Sequence, residues 1–234
     1  MKIFSEISQS QAVKYLRLMY PIWMVVGIVG VMYVPSTLIV PGDASTTASN
    51  IMGNELLFST GIVASLVTQL IHILMVLLLY QLFKTVNKDH SWLLVVFGLV
   101  GVPIAMLNDL NRVAALLIVR GGDYLTAFEP SQLNALMLFF LNLNEQGMYI
   151  ATIFWGLWLF PLGYLVYESG YFPKSIGIVV IVSGFSYTLD PFTRLLLPTL
   201  AATIIPILTI LNMGELIFVA WLVVKGAKLP ISKS

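Results

Sequence analysis

Long apolar runs separated by short polar punctuation dominate the chain. Six runs approach or exceed the ~20 residues that carry an α-helix across ~30 Å of hydrocarbon. They cover about Tyr20 to Val40, Leu56 to Phe83, Trp92 to Val119, Glu145 to Tyr167, Ser175 to Leu197 and Ala202 to Val224. None alternates apolar and polar positions as a membrane barrel strand would. The pattern predicts an all-α integral membrane protein, a six-transmembrane-helix bundle with short outer helices. The expected organisation is a cytoplasmic amphipathic segment over 1–18, a six-span membrane domain over 19–225 and a cytoplasmic tail over 226–234.

The segment before the first run offers Ile3, Phe4, Ile7, Val13 and Leu16 to the bilayer interface, and Ser8 or Ser10 is placed to cap the helix that enters the membrane. The apolar run is too long for a cleaved signal, and no small-residue cleavage site follows it closely. Two connections are longer than the rest. In the first, Asp43 follows Pro41-Gly42 and precedes Ala44-Ser45-Thr46-Thr47, which predicts a capped short helix on the outer surface. The second, 120–144, holds an apolar stretch from Leu133 to Leu141, too short to span. It predicts an outer helix or an extension of the fourth span. Both connections are expected to lie as a lid over the bundle. Gly156 and Gly163, and again Gly177 and Gly184, are seven apart. Each pair shares a helix face, which suggests close backbone approach between the fourth and fifth spans.

Charge fixes the expected orientation. Lys2, Lys14, Arg17, Lys84, Lys88, Lys174, Lys225, Lys228 and Lys233 fall on one side of six spans, leaving only Arg112, Arg120 and Arg194 of the 12 cationic residues elsewhere. The opposite connections carry Asp43, Glu55, Asp123 and Glu129. By the positive-inside rule this predicts a multi-pass protein of the cell membrane with both termini cytoplasmic. The composition agrees: 59% of residues are hydrophobic and 10% charged, against about 25% charged in a soluble domain. Mean hydropathy is +0.93. A net charge of +1 gives no footprint for nucleic acid, and with no Cys there is no disulfide, thiolate metal site or Cys nucleophile.

Polar side chains inside the spans are costly and mark function by default. Counting ~1.5 Å per residue from the cytoplasmic ends, His72 and Gln69 lie ~18 and ~22 Å deep, Asn108 and Asp109 ~25 Å, and Arg112 ~30 Å. Tyr187, Asp190 and Arg194 lie ~20 to ~30 Å deep, and Glu215 and Asn212 ~15 and ~20 Å. Glu145 and Tyr149 open the fourth span. Helical spacing puts Ser65, Gln69 and His72 on one face. Asn142, Glu145, Tyr149 and Thr152 share another, as do Ser183, Tyr187, Asp190 and Arg194, and Thr209, Asn212 and Glu215. Four polar stripes facing one another predict a polar cavity open to the outside. Asp109 with Arg112, and Asp190 with Arg194, are either self-contained ion pairs or ligand-facing groups. His72 is a weak metal signal, since the other histidine, His90, falls in a cytoplasmic loop; no metal or cofactor is expected. Depths that agree within one helical turn suggest that His72 and Glu215 meet at the cavity floor.

Several segments carry a family resemblance. They are Val40-Pro41-Gly42-Asp43-Ala44 with Thr47-Ala48-Ser49-Asn50-Ile51, Leu77 to Phe83 with Val86-Asn87, Gly156 to Tyr167 with the Ser169-Gly170 turn, and Gly214-Glu215-Leu216 leading through Trp221-Leu222 to Lys225-Gly226. Together they resemble a bacterial and archaeal membrane family known as domain of unknown function 4386. The resemblance implies six spans and no particular activity.

No nucleotide loop, serine-nucleophile motif or HExxH occurs. The polar set is rich in amides, hydroxyls and paired charges and lacks a nucleophile–base–orienter chain. It therefore favours binding a small amphipathic molecule or lipid head group, with membrane lipid as the expected partner. The alternatives are an intramembrane enzyme on a lipid-like substrate, using Glu145, Asp109, Asp190 or His72 as acid or base, and a small transporter.

Overall fold

The computed structural model describes residues 7–230. Every regular element among them is helical, and six helices are long and apolar enough to cross a membrane. The first, α1 (Gln9–Leu38), begins at a reciprocal cap. The Gln11 amide donates to the Ser8 hydroxyl at 3.2 Å, and the Ser8 amide donates to the Gln11 side chain at 2.9 Å. Ser8, not Ser10, is thus the cap. Val13 and Leu16, expected at the bilayer interface, are instead buried within the protein. The helix is continuous there, so one face of it must pack inward. Ile3 and Phe4 lie outside the described residues. Over Ile28–Tyr33 the helix widens into a π turn.

After Gly42, which turns the chain at φ 77°, α2 (Ala44–Gly53) starts on Asp43. The Asp43 carboxylate accepts from the Thr46 amide at 2.9 Å and from the Thr46 hydroxyl at 2.6 Å. These bonds, hydroxyl first, hold its carboxyl below the usual Asp range. The sequence-derived cap is therefore present. Next come α3 (Glu55–Phe83) and α4 (Lys88–Arg120), the latter interrupted at Asp109. Gly121 then ends α4 at φ 76°.

The apolar stretch Leu133 to Leu141 is the beginning of α5 (Pro130–Ser169), a single helix of 40 residues. At ~1.5 Å per residue such a helix outreaches a ~30 Å hydrocarbon layer. It is thus the extended fourth span rather than a separate outer helix. A one-residue connection at Leu197 separates α6 (Lys174–Leu196) from α7 (Pro198–Lys225), and α7 breaks at Asn212.

The chain forms two contact-dense units. The first comprises the described residues up to Ile22, Ile71–Val102 and the chain from Tyr149 onward; the second comprises Trp23–Leu70 and Pro103–Met148. In the second unit Ala48 and Ile51 of α2 join Leu38, Phe58, Ile62, Leu116, Met137 and Leu141 in one buried cluster. The apolar faces of both long connections are thereby covered. In the first unit α5 and α6 meet through their glycines. A Cβ on Gly163 would lie 2.7 Å from the Gly177 carbonyl oxygen, and one on Gly184 3.0 Å from that of Gly156. The expected close approach of these two helices is present, and an added methyl would force them apart.

Candidate functional site

The twelve polar candidates divide between the units. Gln69, Asn108, Asp109, Arg112 and Glu145 belong to the second; His72, Tyr149, Tyr187, Asp190, Arg194, Asn212 and Glu215 belong to the first. Gln69, His72, Asn108, Asp109 and Arg112 are buried, whereas Glu145 is exposed on α5.

In the second unit the chemistry centres on Asp109 and Arg112. The turn at Asp109 offsets the two parts of α4, and Arg112 stands in the first turn of the outer part. Its Nη1 donates to the Gly30 carbonyl at 3.0 Å. Gly30 lies in the π turn of α1, where backbone carbonyls are displaced from the regular α-helical ladder. The guanidinium sits 5.6 Å from the centre of the Phe58 ring. A Cβ on Gly61 would come within 2.9 Å of Nη2, so glycine there makes room for it.

Asp109 faces this group at 3.6 Å, an ion pair longer than a hydrogen bond, with side chains only 3% and 4% exposed. The Ser65 hydroxyl and Asn144 amide approach the carboxylate. Even so, neither carboxylate oxygen closes a hydrogen bond of normal geometry, and nor do Arg112 Nε and Nη2. Four buried atoms of two charged groups are thus under-satisfied, where each would ordinarily cost about 1–3 kcal/mol or more.

The amides beside this pair are well bonded. The Asn108 side chain donates to the Asn144 carbonyl at 2.7 Å, and the Asn144 side chain donates to the Asn108 carbonyl at 3.0 Å. The Asn111 amide adds bonds to the Asn108 carbonyl and side-chain oxygen at 3.1 and 3.0 Å. This lattice holds the break in α4 against α5.

The first unit treats its polar groups differently. Arg194 donates from Nε to Asp190 at 2.6 Å, and its guanidinium lies 4.3 Å from the centre of the Tyr149 ring. Glu215 is hydrogen-bonded by the Tyr187 hydroxyl. His72 Nε2 donates to the Gly98 carbonyl at 3.2 Å, and its ring meets the edge of Trp158. At the α7 break, the Ser183 hydroxyl donates to the Leu211 carbonyl at 2.7 Å and the Ser186 hydroxyl to that of Leu208 at 2.5 Å. Those carbonyls are satisfied by neighbouring side chains, as membrane helices require.

The sequence gives no sign of Gly30, Phe58, Gly61 or Asn144 in the surroundings of Asp109 and Arg112. A backbone carbonyl donates no signature to a sequence, and a π turn has none either. The Ser65 stripe was the one visible signal.

The helices and this buried pair define a polytopic α-helical membrane protein. The chain belongs to the family described as "Domain of unknown function (DUF4386)", whose model matches residues 18–226. It is also 39% identical over 80 residues to an uncharacterized protein of Archaeoglobus fulgidus; the match covers 34% of this chain and 46% of that relative. The chain thus spans about half the length of the curated relative it matches. No solved structure matches it.

Proposed function

We propose that the protein is a membrane-embedded binding protein that holds a small amphipathic molecule or lipid head group at the Asp109–Arg112 pair. The observation that carries the reading is the burial of four under-satisfied polar atoms on two opposite charges. A structural ion pair in so dry a setting gains stability only when its remaining donors and acceptors are used. Here Nε and Nη2 of the guanidinium and both carboxylate oxygens close no hydrogen bond of normal geometry. That set complements a ligand carrying both an acceptor and a hydroxyl or amide donor, and Phe58 offers an apolar surface beside it. The sequence supports an orientation with both termini cytoplasmic in the cell membrane, through its nine-to-three distribution of Lys and Arg. This orientation is tested by labelling single cysteines introduced into the Cys-free chain.

Native mass spectrometry of the detergent-purified protein tests the binding reading. The wild type should carry a bound amphiphile that Arg112→Lys loses, because an ammonium cannot reproduce the guanidinium's planar set of donors. Identical bound species in the two proteins would contradict it.

A further inference from the structure

A second, independent site lies in the first unit. Ser10, Val13, Lys14, Arg17 and Leu18 share one face of α1, and with Val223 of α7 they line an open groove of about 520 Å³. The spacing of these positions, i, i+3, i+4, i+7 and i+8, makes the face continuous. Along it the chemistry changes in order: a hydroxyl, an ammonium, a guanidinium, then leucine. Leu18 is 64% exposed and Ile22, one turn further on, 47%. Among the described residues no carboxylate lines the groove and Lys14 makes no ion pair.

Arg17 is held in place from behind. Its Nε donates to the Val223 carbonyl at 2.9 Å and its Nη2 to that of Val224 at 3.4 Å. These carbonyls belong to the last turn of α7, where a helix has no backbone donors left and carries partial negative charge. The guanidinium is therefore oriented by the protein rather than free in solvent, with Nη1 uncommitted to those carbonyls.

We infer that this groove binds the head group of an anionic phospholipid. Lys14, Arg17 and the Ser10 hydroxyl take the phosphate, and an acyl chain lies along Leu18 and Ile22. The charge selects an anion, and the succession from cation to exposed leucine within two helical turns selects an anion with an apolar tail. A free phosphate would use only half of that surface. The site also joins the start of α1 to the end of α7 through Arg17, so an occupied groove would fix both helix ends.

The full chain is reconstituted in nanodiscs of phosphatidylcholine and phosphatidylglycerol in equal parts, and the lipids it retains are counted by native mass spectrometry. The wild type should retain phosphatidylglycerol over phosphatidylcholine. Lys14→Gln should lower that retention roughly five-fold, the usual weight of one cation near an anionic surface. Leu18→Asn, which leaves the charge unchanged, should also lower it. Lys88→Gln, a cation at the start of α4, should leave it unchanged. Equal retention of both lipids by the wild type would overturn the inference. So would an equal loss in Lys88→Gln, or displacement of phosphatidylglycerol by excess inorganic phosphate.

Discussion

Asp190 and Arg194, at i, i+4 on α6, close to 2.6 Å with side chains 17% and 32% exposed, and the Tyr149 ring covers the guanidinium. Asp109 and Arg112, at i, i+3 across the break in α4, stop at 3.6 Å with side chains 3% and 4% exposed. In the sequence these two pairs are near twins. In space the more exposed pair neutralises itself, and the buried one leaves donors and acceptors unspent. Burial alone would argue for the reverse, since a dry ion pair needs tighter geometry than a wet one. The looseness of the buried pair is therefore the feature to explain, and it is the observation on which the proposed binding role rests.

The contrast can be broken most forcefully by removing one charge. Arg112→Met should destabilise the protein by about 3–5 kcal/mol, because Asp109 would remain buried without a counter-charge. Equilibrium unfolding in mixed micelles measures it; a loss below about 1 kcal/mol would mean that the pair is not electrostatically isolated. Replacing both members, Asp109→Leu with Arg112→Met, should recover that loss and end neutral or more stable than the wild type by up to about 4 kcal/mol. A double variant as unstable as the single one would show that the pair serves the fold rather than a ligand.

The same truncation in the other unit should be mild. Arg194→Met is expected to cost less than Arg112→Met, because its Asp190 partner is less deeply buried within the protein. The smallest effect belongs to Asp43, a carboxylate outside the spans that serves only its own helix. Asp43→Ala should raise amide hydrogen exchange at the start of α2 and leave the spans unaffected. Since hydrogen bonds hold the Asp43 carboxyl below its usual range, its contribution is fully present above the ordinary Asp pKa of about 3.9. It should fade only as pH falls through the lower folded value. Loss of protection already near neutral pH would remove the cap from the account.

What the sequence disclosed follows from where the physics is local. The six spans, the Asp43 cap and the glycine contacts of α5 with α6 depend on spacing within one segment, and all were legible; the cap of α1 was narrowed to Ser8 or Ser10. The union of Leu133 to Leu141 with the fourth span was one of two open alternatives. Charge and polar spacing alone could not exclude a break, and the helix runs through because nothing between Pro130 and Pro161 interrupts it.

Position along a helix can be counted in the sequence, whereas direction around it across separate helices cannot. His72 and Glu215 were matched by depth alone; the sequence carried no sign that His72 bonds to Gly98 or Glu215 to Tyr187. Asp109 and Arg112 were nominated by their types. Their isolation rests on the Gly30 carbonyl in a π turn and on space left by Gly61, neither of which any residue pattern announces.

In the proposed function the buried Asp109–Arg112 pair binds a ligand and the less buried Asp190–Arg194 pair does not. It is tested most directly by extracting the amphiphiles that co-purify with the wild type, with Asp109→Asn and with Asp190→Asn, and comparing them by mass spectrometry at equal protein amount. One species should be held in stoichiometric amount by the wild type and Asp190→Asn and lost from Asp109→Asn. The same profile in all three, or its loss from Asp190→Asn alone, would contradict it.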